Sequence, residues 1–257
     1  MMRILLTNDD GIYAKGIEVL AAQLRSVAQV TVVAPDHERS AAGHAITLWD
    51  PLRVSTVDRN GAFFGYAVDG TPADCVKIAV QRLLKKKPDL VVSGINLGPN
   101  TGTNVIYSGT VSAALEGAVL GIPSMAVSLA TFRQPRFAVA ARVATALFLQ
   151  LRQLRLPPTV VLNVNVPNCP LAQLKGVRVT CQSRSRWPSP CSGSCETESR
   201  SLHPSFRRPS AISRPSCRLW MAGNGNLAAD FFLEPLASQV TSEGCAAAAP
   251  SAAAEWP

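Results

Sequence analysis

Two carboxylates stand side by side in Asn8-Asp9-Asp10-Gly11, directly after the apolar run Ile4-Leu5-Leu6-Thr7. A short Leu- and Ile-rich run, then turn residues, then a helical pattern reads as the buried first strand of a parallel α/β sheet. Ligands of such sheets bind at the carboxyl ends of the strands. Adjacent acids placed there repel each other and resist desolvation, so a cation beside them is the economical answer. A divalent metal fits, because hard cations take carboxylate and neutral oxygen ligands. The competing reading is local: Asp9 caps the next helix and Asp10-Gly11 makes a turn. Two further polar loops bear on the choice. Asp36–Ala45 carries His37, Arg39, Ser40, Gly43 and His44, and Ser93–Thr110 carries Asn96 and a helix start at Ser108-Gly109-Thr110. Ser40 and Asn96 add neutral oxygens to the acids, and backbone N–H groups at a helix start receive an anion. A metal beside a phosphate cradle is what a metal-assisted phosphoryl hydrolase requires.

The elements that must position these loops follow from periodicity. Ile17, Leu20, Ala21 and Leu24 recur at helical spacing and predict a first helix ending near Arg25. Val30–Val33 reads as a second strand, so the chain opens with a βαβ unit. Residues 52–57 and 62–68 predict a hairpin around Asp58-Arg59-Asn60-Gly61. Thr71-Pro72-Ala73-Asp74 has the chemistry of a helix N-terminus, and that helix runs to about Leu84. Strands follow at Leu90–Val92, Met125–Leu129, Val160–Val166 and Val177–Val179, with helices at Val111–Leu120 and Arg136–Leu154.

Bulk properties narrow the class. One large α/β domain, or a domain with an appendage, suits 257 residues. The first residues lack a secretory pattern, and no apolar run is long enough to span a bilayer, so a cytoplasmic protein without a membrane partner is expected. Seven cysteines at irregular spacing and three histidines indicate neither a zinc site nor a disulfide framework. The net charge of +8 is an excess of +9 spread along residues 1–187 and −1 in residues 188–257. Its one cluster, Lys85-Lys86-Lys87, follows a helix, where cations are favoured. With neither a basic stripe nor an aromatic stacking platform, a nucleic-acid partner is not expected.

Five blocks carry a more specific signal. Thr7-Asn8-Asp9-Asp10-Gly11, Ala34-Pro35 with Arg39-Ser40, Gly70-Thr71-Pro72-Ala73-Asp74-Cys75, Ser93-Gly94-Ile95-Asn96-Leu97-Gly98-Pro99-Asn100 and Tyr107-Ser108-Gly109-Thr110-Val111-Ser112-Ala113-Ala114 stand in this order. The chain resembles the SurE family, the stationary-phase survival proteins that act as metal-dependent 5′/3′-nucleotidases. The resemblance runs from residue 2 to Trp187 and includes Leu162–Pro167 and Lys175–Thr180. It implies a Rossmann-like three-layer α/β domain over residues 1–187 with a mostly parallel sheet. It also implies one manganese or magnesium ion per subunit, held by Asp9, Asp10, Ser40 and Asn96. Asp9, Asp10 and Asn8 would be the catalytic set, with water as the favoured nucleophile. Asn8, Ser108, Gly109 and Thr110 would bind the phosphate of a nucleoside 5′-monophosphate, and Ser108 could equally be only a helix cap. The family's reach extends to 3′-monophosphates and polyphosphate, and its members assemble as homodimers or tetramers. His44 is the nearest acid–base candidate, but a single loop histidine is more often a solvated surface residue, and it stays outside this set.

The sequence departs from the family after Trp187. Family members continue into strands that complete the fold and form a dimer-making arm. Here Lys vanishes, while Ser, Pro, Arg, Cys and Ala dominate without a period. That composition predicts residues 188–257 as mostly unstructured, apart from a short element at Ala228–Leu236. The abrupt change resembles translation in a shifted frame, which would cost the dimer and the last strands. The alternative function is therefore an inactive nucleotide or metal binder.

Overall fold

The computed structural model describes residues 1–154, 157–174, 176–180, 217–221 and 228–235. The first strand, β1 (Arg3–Thr7), lies in the sheet interior and is buried from Ile4 onward, as a run apolar on both faces requires. It pairs in parallel with β2 (Gln29–Pro35) on one side and β5 (Leu90–Leu97) on the other. Between β1 and β2 runs α1 (Lys15–Arg25), whose buried face is Ile17, Leu20, Ala21 and Leu24. Beyond β2 the sheet continues with β4 (Ala62–Val68), parallel to it, and then β3 (Val54–Arg59), antiparallel to β4. The hairpin turn holds Asn60 and Gly61 at φ of 52° and 75°, the left-handed pair that a two-residue hairpin loop demands.

On the other side of β5 come β6 (Ser124–Ala130) and β7 (Val161–Pro167), both parallel. Next is β10 (Ala228–Pro235), parallel to β7, and it pairs antiparallel with both β8 (Arg178–Thr180) and β9 (Cys217–Met221). The sheet order is β3-β4-β2-β1-β5-β6-β7-β10-β8-β9. Helix α1 and α5 (Phe137–Leu154) cover one face, building a core with Ile4, Leu6, Val92 and Phe148. On the opposite face α2 (Pro72–Ile78) and α4 (Gly109–Val119) pack against Leu5, Val33 and Val91. The result is the three-layer, mostly parallel α/β arrangement that the sequence implies.

Several elements differ from expectation. The second helix keeps its expected extent, but Ala79–Leu83 is π-helical, with Leu84 N–H reaching Ala79 O at 2.9 Å. A single turn, α3 (Asn104–Tyr107), precedes α4; four residues are too few to show a period. The expected element near 228–236 is β10. Strand β9 was not expected. Its five residues are lost when a Ser- and Pro-rich tail is read by composition, yet they gain partners on both β10 and β8. The other residues of the 188–257 stretch lie outside the described residues. Among those described, no helix is long and apolar enough to cross a membrane.

Candidate metal and phosphate site

Asp9 and Asp10 follow the last residue of β1, where the strand leaves the sheet. Asp9 is buried and held from three directions. The Thr110 hydroxyl donates to its Oδ1, and the Thr110 backbone N–H also bonds its carboxylate. Arg39 N–H donates to its backbone carbonyl at 2.8 Å. The positive end of α4 therefore points at an anion that belongs to the protein itself. Burial still pushes the Asp9 carboxyl above its usual pKa, against those hydrogen bonds. Asp10 is only partly buried, and its pKa is pushed up to about 7 by desolvation, then by Asp9, then by Glu38. The Leu97 backbone N–H stabilises its charged form and brings the end of β5 beside it.

The neutral residues have a common property. Asn96 donates its amide N–H to Gly98 O at 2.7 Å, Asn8 donates to Gly11 O at 2.8 Å, and Ser40 donates its hydroxyl to Glu38 Oε1 at 2.6 Å. Each spends its proton on the protein and keeps oxygen lone pairs for something else. The Asn8 Oδ1 is buried without a hydrogen-bond partner. Two desolvated carboxylates with neutral oxygens on the adjoining segments form a donor set whose chemistry a hard divalent ion fits. Among the described residues no three His, Cys, Asp or Glu side chains converge on one point, so such an ion depends on these neutral oxygens.

The proposed phosphate residues sit in the same place but are used differently. Ser108 caps α4, its hydroxyl accepting Val111 N–H at 3.1 Å. Thr110 is spent on Asp9, which leaves the Gly109 N–H and the Ser108 hydroxyl proton as the free donors of that segment. A β-carbon on Gly109 would lie 2.8 Å from Asp9 Cβ, 3.1 Å from Asp9 Oδ2 and 3.2 Å from Pro72 Cγ. Glycine is required here by the approach of α4 to Asp9.

Sequence reasoning missed Glu38, and it did not foresee the partners of Asn100, Asp74 and His44. Glu38 adds a third negative charge near both aspartates. Asn100 anchors the loop after β5: its N–H bonds Asn165 Oδ1 at 2.8 Å, and its carbonyl receives the amides of Asn163 and Asn165 at 2.9 and 3.0 Å. Its own amide donates to Ser128 Oγ at 2.9 Å. The signal was present, since Asn163 and Asn165 sit two apart in an apolar strand and so share one face. Asp74 closes a capping box with Thr71 and also accepts the N–H and hydroxyl of Thr47, which ties down the far end of the Asp36–Ala45 loop. His44 is paired with the buried Glu116 at 3.0 Å.

Known proteins are similar to this chain in sequence and fold. The sequence model of Survival protein SurE matches residues 4–189. A protein of Syntrophobacter fumaroxidans named 5′-nucleotidase SurE is 60% identical over 181 residues, covering 70% of this chain and 72% of its own length. Another so named, from Syntrophus aciditrophicus, is 54% identical over 185 residues, 72% of this chain and 70% of its own. The crystal structure of the SurE protein from Aquifex aeolicus superposes with a TM-score of 0.67 at 35% identity, covering 91% of this chain and 82% of that one. With the motif blocks, the three-layer fold and these matches in agreement, the chain belongs to the SurE family.

Proposed function

We propose that this chain is a metal-dependent 5′-nucleotidase, releasing phosphate from nucleoside 5′-monophosphates, with 3′-monophosphates and polyphosphate as secondary substrates. The observation that carries the reading is the desolvated Asp9–Asp10 pair, preceded by the unpartnered Asn8 Oδ1 and hydrogen-bonded to Arg39 and Leu97, the neighbours of Ser40 and Asn96. Asp9, Asp10, Ser40 and Asn96 would hold manganese or magnesium, one per subunit. The ion, when bound, supplies positive charge to a phosphate oxygen and raises the acidity of water. The chain's own residues do the rest. Thr110 and the N-terminus of α4 fix the Asp9 carboxylate, and Leu97 N–H orients that of Asp10. Gly109 N–H and the Ser108 hydroxyl stand at the start of α4 beside Asp9 and are available to receive the phosphate. The relatives named 5′-nucleotidase support the substrate class.

Phosphate release from a nucleoside 5′-monophosphate, measured on chelator-stripped protein with and without added manganese, tests this. Activity that appears only with the metal is the expected result. Hydrolysis that persists after stripping, or none in either case, overturns it.

A further inference from the structure

Glu116 is a buried carboxylate that the chemistry above does not use. It ends a buried polar stripe on α4, Ser108, Ser112 and Glu116, spaced four residues apart and so on one helix face. The upper members satisfy each other, with the Ser112 hydroxyl donating to Ser108 O at 2.7 Å. Glu116 instead pairs outward with His44 Nε2 at 3.0 Å.

The loop carrying His44 is otherwise lightly held between its ends. At one end Arg39 is fixed by its N–H on Asp9 O and its guanidinium on Asp69 O at 3.1 Å. At the other, Thr71 Oγ1 donates to Ala45 O at 2.8 Å and Thr47 bonds Asp74. Between them Ala41 and Gly43 turn at φ of 59° and 55°, and Ser40 bonds within the loop, to Glu38. Among the described residues, the ties of 40–44 to the body of the protein are Gly43 N–H to Tyr107 O at 3.2 Å and His44 to Glu116. Tyr107 directly precedes the cap of α4, so both ties run to the segment whose Thr110 holds Asp9 from the other side.

We propose that the His44–Glu116 pair is a latch that closes the Asp36–Ala45 loop onto α4 and thereby presents Ser40 to Asp9 and Asp10. His44 is a positioning residue, acting through the loop rather than on substrate. The proposal rests on the reading of Ser40 as a metal ligand.

Two measurements on the full chain test it: manganese affinity by titration of stripped protein, and the rate of trypsin cleavage after Arg39, which needs no metal. His44→Ala and Glu116→Ala are each expected to weaken manganese binding about tenfold, the weight of one charge-assisted hydrogen bond. Both should speed cleavage after Arg39, and the double variant should be no worse than either single one. Glu116→Gln keeps an acceptor for His44 and should hold affinity within about twofold of the parent. Where Glu116→Ala fails to fold, His44→Ala and Glu116→Gln carry the comparison. Unchanged affinity and unchanged cleavage in His44→Ala overturn the latch. If the parent chain binds no manganese, the metal reading fails on its own, and the cleavage rate alone then decides whether the loop is latched.

Discussion

Asp10 puts the metal-free protein under electrostatic load, because desolvation and the neighbouring Asp9 both oppose its charge. Removing that charge separates its roles. Asp10→Asn is expected to raise the melting temperature of stripped protein while abolishing the further rise that manganese gives the parent. A ligand at a hundred times its Kd stabilises by about 2.7 kcal/mol, so calorimetry with and without the ion resolves both effects. Nucleotidase kcat/KM should fall by at least about 100-fold, as when a preorganised electrostatic partner is lost. Gly109→Ala acts on the other aspartate. Its β-carbon meets Asp9 Cβ at 2.8 Å, so Asp9 must shift or α4 must back away. Overpacking of that kind costs about 1–3 kcal/mol. Manganese affinity should fall together with kcat, whereas a residue touching only phosphate would leave metal binding intact. Titration of the folded variant distinguishes these.

Which elements could be read in advance depended on the range of the interactions that make them. The Thr71–Asp74 capping box and the Asn60-Gly61 turn are local, and their residue types name the geometry. The strand that delivers Asp9 and Asp10 was legible for the same reason, and so was the α1 face. The hold of Thr110 on Asp9 spans 101 positions and that of Asn165 on Asn100 spans 65, and no local pattern announces either. Thr110 was therefore read as a phosphate residue when its hydroxyl serves Asp9. The Asn100 cluster makes a prediction for the loop after β5. Asn165→Leu keeps the branched shape but leaves Asn100 N–H buried without its acceptor. A loss of about 1–3 kcal/mol is expected, with faster hydrogen exchange at the Asn100 amide. A stable variant with unchanged exchange would show that Asn163 and Ser128 suffice.

At the scale of the molecule, β10 covers β7 by parallel pairing of Ala228–Phe232 with Val161–Asn165. Deleting residues 188–257 turns β7, buried from Val161 to Val166, into an exposed sheet edge. The truncated chain is expected to aggregate in sedimentation, and a monodisperse product of equal melting temperature would show that β10 adds nothing. The change of composition at Pro188 carries its own test: DNA around codon 187, read in all frames, should yield strands of family pattern in a shifted one. The position of β1 has a consequence during synthesis. Its partner β2 ends at Pro35, but β5 does not begin until Leu90, with 54 residues between them. At about 5–20 residues per second, the nascent chain waits roughly 3–10 s with one side of β1 open. Throughout that interval Asp9 and Asp10 sit at the tip of the open strand without Thr110, so two like charges repel the same segment on a neighbouring ribosome's chain. The acids proposed to hold a cation in the folded protein are thus expected first to keep newborn copies apart.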